Sequence, residues 1–122
     1  MMQRFLMATI LAGSAFATGQ ARAHAFLDHA IPAVGSSVPT APRTVTMWFT
    51  EQLEPVFTTA TVTDKAGNNV DAGTAQIDPK DRTELEVPLK HLAPGIYTVT
   101  WHALSVDTHT TQGRFTFQVS GG

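Results

Sequence analysis

The chain has 122 residues, eight Lys and Arg against ten Asp and Glu, and no cysteine. That length supports one domain with one core. Without cysteine there is no disulfide framework or thiolate metal site, so any metal must be held by His, carboxylate, Met or a free amino terminus.

The first segment reads as a secretory leader. A short basic start, Met1 to Arg4, precedes the mostly apolar run FLMATILAGSAFA (Phe5 to Ala17), and Ala21-Arg22-Ala23 is an A-x-A cleavage signal. The apolar run is too short to span a bilayer. Residues 1–23 are therefore read as a signal peptide and 24–122 as the mature domain, beginning at His24. The leader takes Arg4 and Arg22 with it, which leaves ten acidic residues facing six basic ones. That balance argues against a phosphate-binding surface for nucleic acid or anionic lipid.

The mature chain then follows a period of two. Ile31–Arg43, dense in Pro, Gly and Ser, reads as an irregular connection with one short edge strand. In Thr44–Thr50 the residues Val45, Met47 and Phe49 share a face, opposite Thr46 and Trp48. Thr58–Asp64 is rich in β-branched residues and runs into the turn Asp64-Lys65-Ala66-Gly67. Asn68–Arg82 is polar and reads as loop. Thr83–Leu89 alternates Leu85, Val87 and Leu89 against Glu84 and Glu86, with Pro88 marking its exit. Pro94-Gly95 is a turn signal, and Ile96–Leu104 follows with Tyr97, Val99, Trp101 and Ala103 on one face. Tyr97 has the place of a tyrosine corner. The last strand, Arg114–Val119, aligns Phe115, Phe117 and Val119. About seven short strands with turns every eight to twelve residues specify an all-β fold, an immunoglobulin-like Greek-key β-sandwich.

Two features carry chemistry. A histidine exposed at a new N-terminus offers its α-amine and imidazole Nδ1 together, closing a six-membered chelate ring, and nitrogen donors in a tetragonal plane suit Cu(II). Asp107-Thr108-His109 follows the longest predicted strand, and in an extended segment residues at i and i+2 project to the same side. The alternative reading of that tripeptide is an Asp that shapes a turn beside a surface histidine. His29, His91 and His102 read as exposed histidines, Trp48 and Trp101 as core or sheet-face residues, and Met47, the only mature methionine, as core filler.

The segments HAFLDHAIPAVGS, MWFTEQLEP and PGIYTVTWHALSVDTHTTQGRFTF resemble the CopC family of periplasmic copper-binding proteins across nearly the whole mature chain. The resemblance implies a Greek-key sandwich that binds Cu(II) through the N-terminal histidine and the Asp and His of an S-x-D-x-H segment. It implies amine and imidazole nitrogens from His24, a carboxylate oxygen from Asp107, an imidazole from His109, and Glu51 as a second-shell or weak ligand. It further implies a periplasmic carrier or buffer, not an enzyme, whose partner is an inner-membrane copper importer and whose mature form is not membrane-embedded. The chain departs from members with a methionine-rich loop, so a Cu(II)-only type is expected. A copper-dependent oxidative enzyme with an N-terminal histidine centre, and a metal-free structural module, stand as alternatives.

Overall fold

The computed structural model describes residues 25–121; the expected signal peptide and His24 lie outside the described residues. Eight strands make up the fold: β1 (Leu27–Ile31), β2 (Ser37–Val38), β3 (Thr44–Phe49), β4 (Thr59–Thr63), β5 (Gln76–Asp78), β6 (Asp81–Pro88), β7 (Gly95–Leu104) and β8 (Thr110–Val119). One sheet has the order β1-β3-β6-β5 and the other β2-β8-β7-β4. Pairing is antiparallel except for β2, which lies parallel to β8. Among the described residues no helix is long and apolar enough to cross a membrane.

The alternation that predicts the strands also builds the core. Val45, Met47 and Phe49 of β3 are buried, and Leu85 and Val87 of β6 pack with them from the same sheet. Tyr97, Val99, Trp101 and Ala103 of β7 face them, and β8 adds Phe115, Phe117 and Val119. Met47 is fully buried, as expected of core filler. The Trp101 ring meets Phe49 edge-on, with centroids 5.1 Å apart. Tyr97 stacks on Phe117 and donates its hydroxyl to the Ala93 carbonyl at 2.5 Å, which is the tyrosine-corner contact.

Two expectations need correction. Asn68–Arg82 is not all loop, because it contains β5, and β6 begins at Asp81. Neither β5 nor the first residues of β6 show a run of alternating apolar residues; the backbone ladder between Gln76–Ile77 and Leu85–Glu86 holds β5 in place. The last strand starts at Thr110 instead of Arg114, since β7 supplies ten paired partners irrespective of the polar side chains at its start. The predicted turn, by contrast, forms as read. Asp64 accepts hydrogen bonds from the amides of Ala66 and Asn68, and Gly67 adopts φ +89°, a conformation that favours glycine.

Gly113 is required by packing. It pairs with Trp101 across the β7–β8 ladder, and a Cβ there would stand 2.7 Å from Cζ2 and 2.9 Å from Cε2 of the indole. The ring is rigid and nearly buried, so it cannot swing aside without disturbing Phe49. Gly113→Ala is expected to destabilise the fold by about 1–3 kcal/mol through overpacking. Chemical denaturation followed by tryptophan fluorescence measures this; an unchanged midpoint would show that the ring has room to move.

Candidate metal centre

The Asp107–His109 segment is the connection between β7 and β8, the two longest strands. Their ladder closes at Leu104 and Thr110, leaving residues 105–109 to turn the chain. The Ser105 amide donates to the His109 carbonyl at 3.0 Å, and the Thr108 amide to the Ser105 carbonyl at 2.8 Å. Thr108 takes φ +75°, a left-handed conformation that costs a β-branched residue and recurs where a loop is held in one shape by its surroundings.

This turn brings Asp107 and His109 together. Nδ1 of His109 lies 3.4 Å from Oδ2 of Asp107, with the two side chains 54% and 37% exposed. The i, i+2 spacing therefore does place them side by side, but the cause differs from the one the sequence suggests. Their side chains converge because the backbone curls back on itself, and strand alternation has no part in it.

Ser105 orients the pair. Its hydroxyl donates to Oδ1 of Asp107 and also reaches the His109 carbonyl, so one carboxylate oxygen is tied while Oδ2 is turned to the imidazole. The Ser105 hydrogen bond is the largest cause holding the Asp107 carboxyl below its ordinary value; desolvation opposes it, and hydrogen bonds from His109 reinforce it. The group is thus anionic well into mild acid. A carboxylate oxygen and an imidazole nitrogen, half-exposed and 3.4 Å apart, have the chemistry and spacing of two neighbouring donors to one borderline ion.

Other segments fix where this turn sits. The Val106 amide donates to the Gln52 carbonyl at 3.1 Å, and the Glu54 amide to Leu104 at 2.8 Å. Leu53, fully buried, bridges to Ser105. Thr58, buried and hydrogen-bonded to the Leu104 amide at 3.2 Å, secures the following loop. The start of the described chain reaches the same end of the sandwich. Phe26 and Thr50 exchange hydrogen bonds, and the Thr111 hydroxyl donates to the Ala25 carbonyl at 2.5 Å. Residue 25 is thereby fastened two positions from His109.

The remaining candidates divide. Glu51 is half-buried between Thr50, which is tied to Phe26, and Gln52, which is tied to Val106. Its backbone therefore lies between the entering chain and the turn. Among the described residues, however, no three of His, Cys, Asp and Glu gather closely enough to hold an ion. His24 lies outside the described residues. His29 is engaged elsewhere, stacked on Trp48 at 4.5 Å and paired with Asp28, while Trp48 donates to Glu84. His91 and His102 are exposed, as expected. Sequence reasoning gave no role to Ser105 or Thr111. A hydroxyl two residues before the aspartate was the available signal for the first; nothing local marks the second.

An eight-stranded two-sheet sandwich thus carries an Asp–His turn at one end, beside the start of the described chain. The CopC domain family model matches residues 27–120. Protein YobA of Escherichia coli K12 is 42% identical over 98 residues, covering 80% of this chain and 79% of its own. Copper resistance protein C of Pseudomonas syringae pv. tomato is 30% identical, covering 98% of each chain. The crystal structure of CopC from Methylosinus trichosporium OB3b superposes with a TM-score of 0.75 at 30% identity, covering 80% of this chain and 95% of that one. The crystal structure of PcoC, a methionine-rich copper resistance protein from Escherichia coli, gives 0.68 at 31% identity, with 80% and 100% covered. The chain belongs to the CopC family.

Proposed function

We propose that the protein is exported to the periplasm, loses residues 1–23, and carries or buffers Cu(II) through His24, Asp107 and His109. The observation that carries this reading is the Ser105-oriented Asp107–His109 pair, with residue 25 fastened two positions away by Thr111. A histidine immediately before residue 25 can bring its α-amine and imidazole to that pair. Three nitrogens and one carboxylate oxygen then make a donor set suited to tetragonal Cu(II). Glu51 is the candidate to accept a hydrogen bond from a ligand or to contact the ion weakly. Protein donors fill most coordination positions, which favours storage and transfer over catalysis, and the ion is cargo to be passed to an inner-membrane copper importer. The names of the relatives, which are copper resistance and copper transport proteins, support the copper reading.

Mass spectrometry of the protein purified from the periplasm, with and without Cu(II), tests the reading directly. It should show a chain beginning at His24 that gains one copper. A mature chain starting elsewhere, or one that takes up no copper, would overturn it.

The ion should also be released in two ways. As pH falls from 8 toward 5, protons compete for the amine and imidazole nitrogens while Asp107, whose pKa is lowered, stays ionised. Apparent Cu(II) affinity should therefore fall steeply across that range, with a shift in the absorption of the bound ion. Reduction should release the metal as well, because Cu(I) prefers soft ligands and the core-buried Met47 cannot reach it. Titration against a Cu(I) indicator checks this; tight retention of Cu(I) would reveal a soft site elsewhere.

A further inference from the structure

At the end of the sandwich opposite the Asp107–His109 turn, the segment entering β3 and the segment leaving β6 enclose an open cavity of about 350 Å3. Its walls include Thr40, Pro42 and Arg43 on one side and Leu89, Lys90 and His91 on the other. The six residues of β3 separate it from the metal turn, a distance of roughly 20 Å.

The charge in this cavity runs against that of the molecule. The expected mature chain is acidic, with only six Lys and Arg, yet two of them and a histidine line this one depression. Among the described residues neither Arg43 nor Lys90 forms a salt bridge; the ion pairs are His29 with Asp28 and His109 with Asp107. Asp71, which bridges to Leu89, has its carboxylate turned away to accept the Val62 amide at 3.0 Å.

The backbone is also held in place. The Leu89 amide donates to the Arg43 carbonyl at 2.9 Å, clamping the two walls together, and the Lys90 amide donates to Val70 at 2.8 Å. Pro42 restricts the chain before Arg43, and the buried Leu92 anchors the chain after His91. Residues bearing a guanidinium, an ammonium, an imidazole and a hydroxyl thus line one depression whose backbone is fixed. That is a donor set for an oxyanion with several acceptor oxygens.

We infer that this cavity is a binding site for a phosphate group carried by a small soluble molecule, separate from the copper site and independent of it. Net charge averages over the whole surface and hides such a local concentration of cations. The same acidic average opposes adsorption to an anionic membrane, which is why a small ligand is the occupant.

The test is an NMR titration of the folded protein with inorganic phosphate, against chloride at matched ionic strength. Saturable shifts should cluster at the amides of Arg43, Lys90 and His91. The Arg43→Gln/Lys90→Gln double variant should weaken binding by at least about tenfold while leaving Cu(II) affinity unchanged. Shifts of equal size near Lys65, Lys80 and Arg114, or shifts that survive the double substitution, would overturn the site. A parallel arm uses phosphatidylglycerol/phosphatidylcholine vesicles. No sedimentation with them is expected; sedimentation that phosphate reverses would keep the phosphate chemistry but overturn the soluble ligand in favour of a lipid headgroup. Failure to respond to either probe would overturn the inference altogether.

Discussion

A protein that keeps a methionine in front of His24 should lose Cu(II) affinity by roughly 100-fold or more while remaining folded. Even groups that only orient a metal ligand are worth about 10–100-fold, and the added residue removes a primary donor, the α-amine, together with the chelate ring it closes. The fold has no reason to change. The extension lies before Ala25, which is held by its carbonyl on Thr111, and before Phe26, which pairs with Thr50. Competition against a Cu(II) chelator, with circular dichroism as the folding control, decides the matter. Equal affinity in the extended and native forms would show that the terminal chelate is the wrong centre.

His109→Ala should weaken Cu(II) binding about as severely, Asp107→Ala by about tenfold, and His91→Ala scarcely at all. His109 is the one nitrogen donor proposed from outside residue 24. Asp107 offers a weaker oxygen donor, already half engaged with Ser105. His91 belongs to the opposite end of the sandwich. Removing His109 also spares the turn, because Ser105 bonds to its main-chain carbonyl, which alanine retains. Equal losses for His91 and His109 would remove the assignment of the site to the turn.

The fold was legible wherever one sheet face is buried, since alternation records burial directly. The four inward residues of β7 and the three of β3 show this. It was illegible where a strand is held by its neighbour's backbone. Gln76–Asp78 and Thr110–Gly113 have mostly polar side chains and are strands because β6 and β7 present unpaired edges to them. The site divides in the same way. Asp107 and His109 could be named from spacing and family resemblance, but their meeting depends on the left-handed turn at Thr108. The fastening of residue 25 to residue 111 joins positions 86 apart in sequence, and no local pattern encodes such a contact.

The join between the beginning of the chain and the β7–β8 hairpin bears on a domain that has no cysteine. In the proposed complex, one ion held by His24 and His109 closes a loop of about 85 residues. On the chain-entropy view a permanent cross-link of that span restricts the unfolded chain by about 4–5 kcal/mol. The copper then serves as a removable staple in place of a disulfide. Loading should raise the melting temperature, by an amount that grows with the logarithm of free ion once the site is filled, and acid or a reductant should undo the staple without breaking a covalent bond. Delivery of the metal and loosening of the sandwich thus become one event.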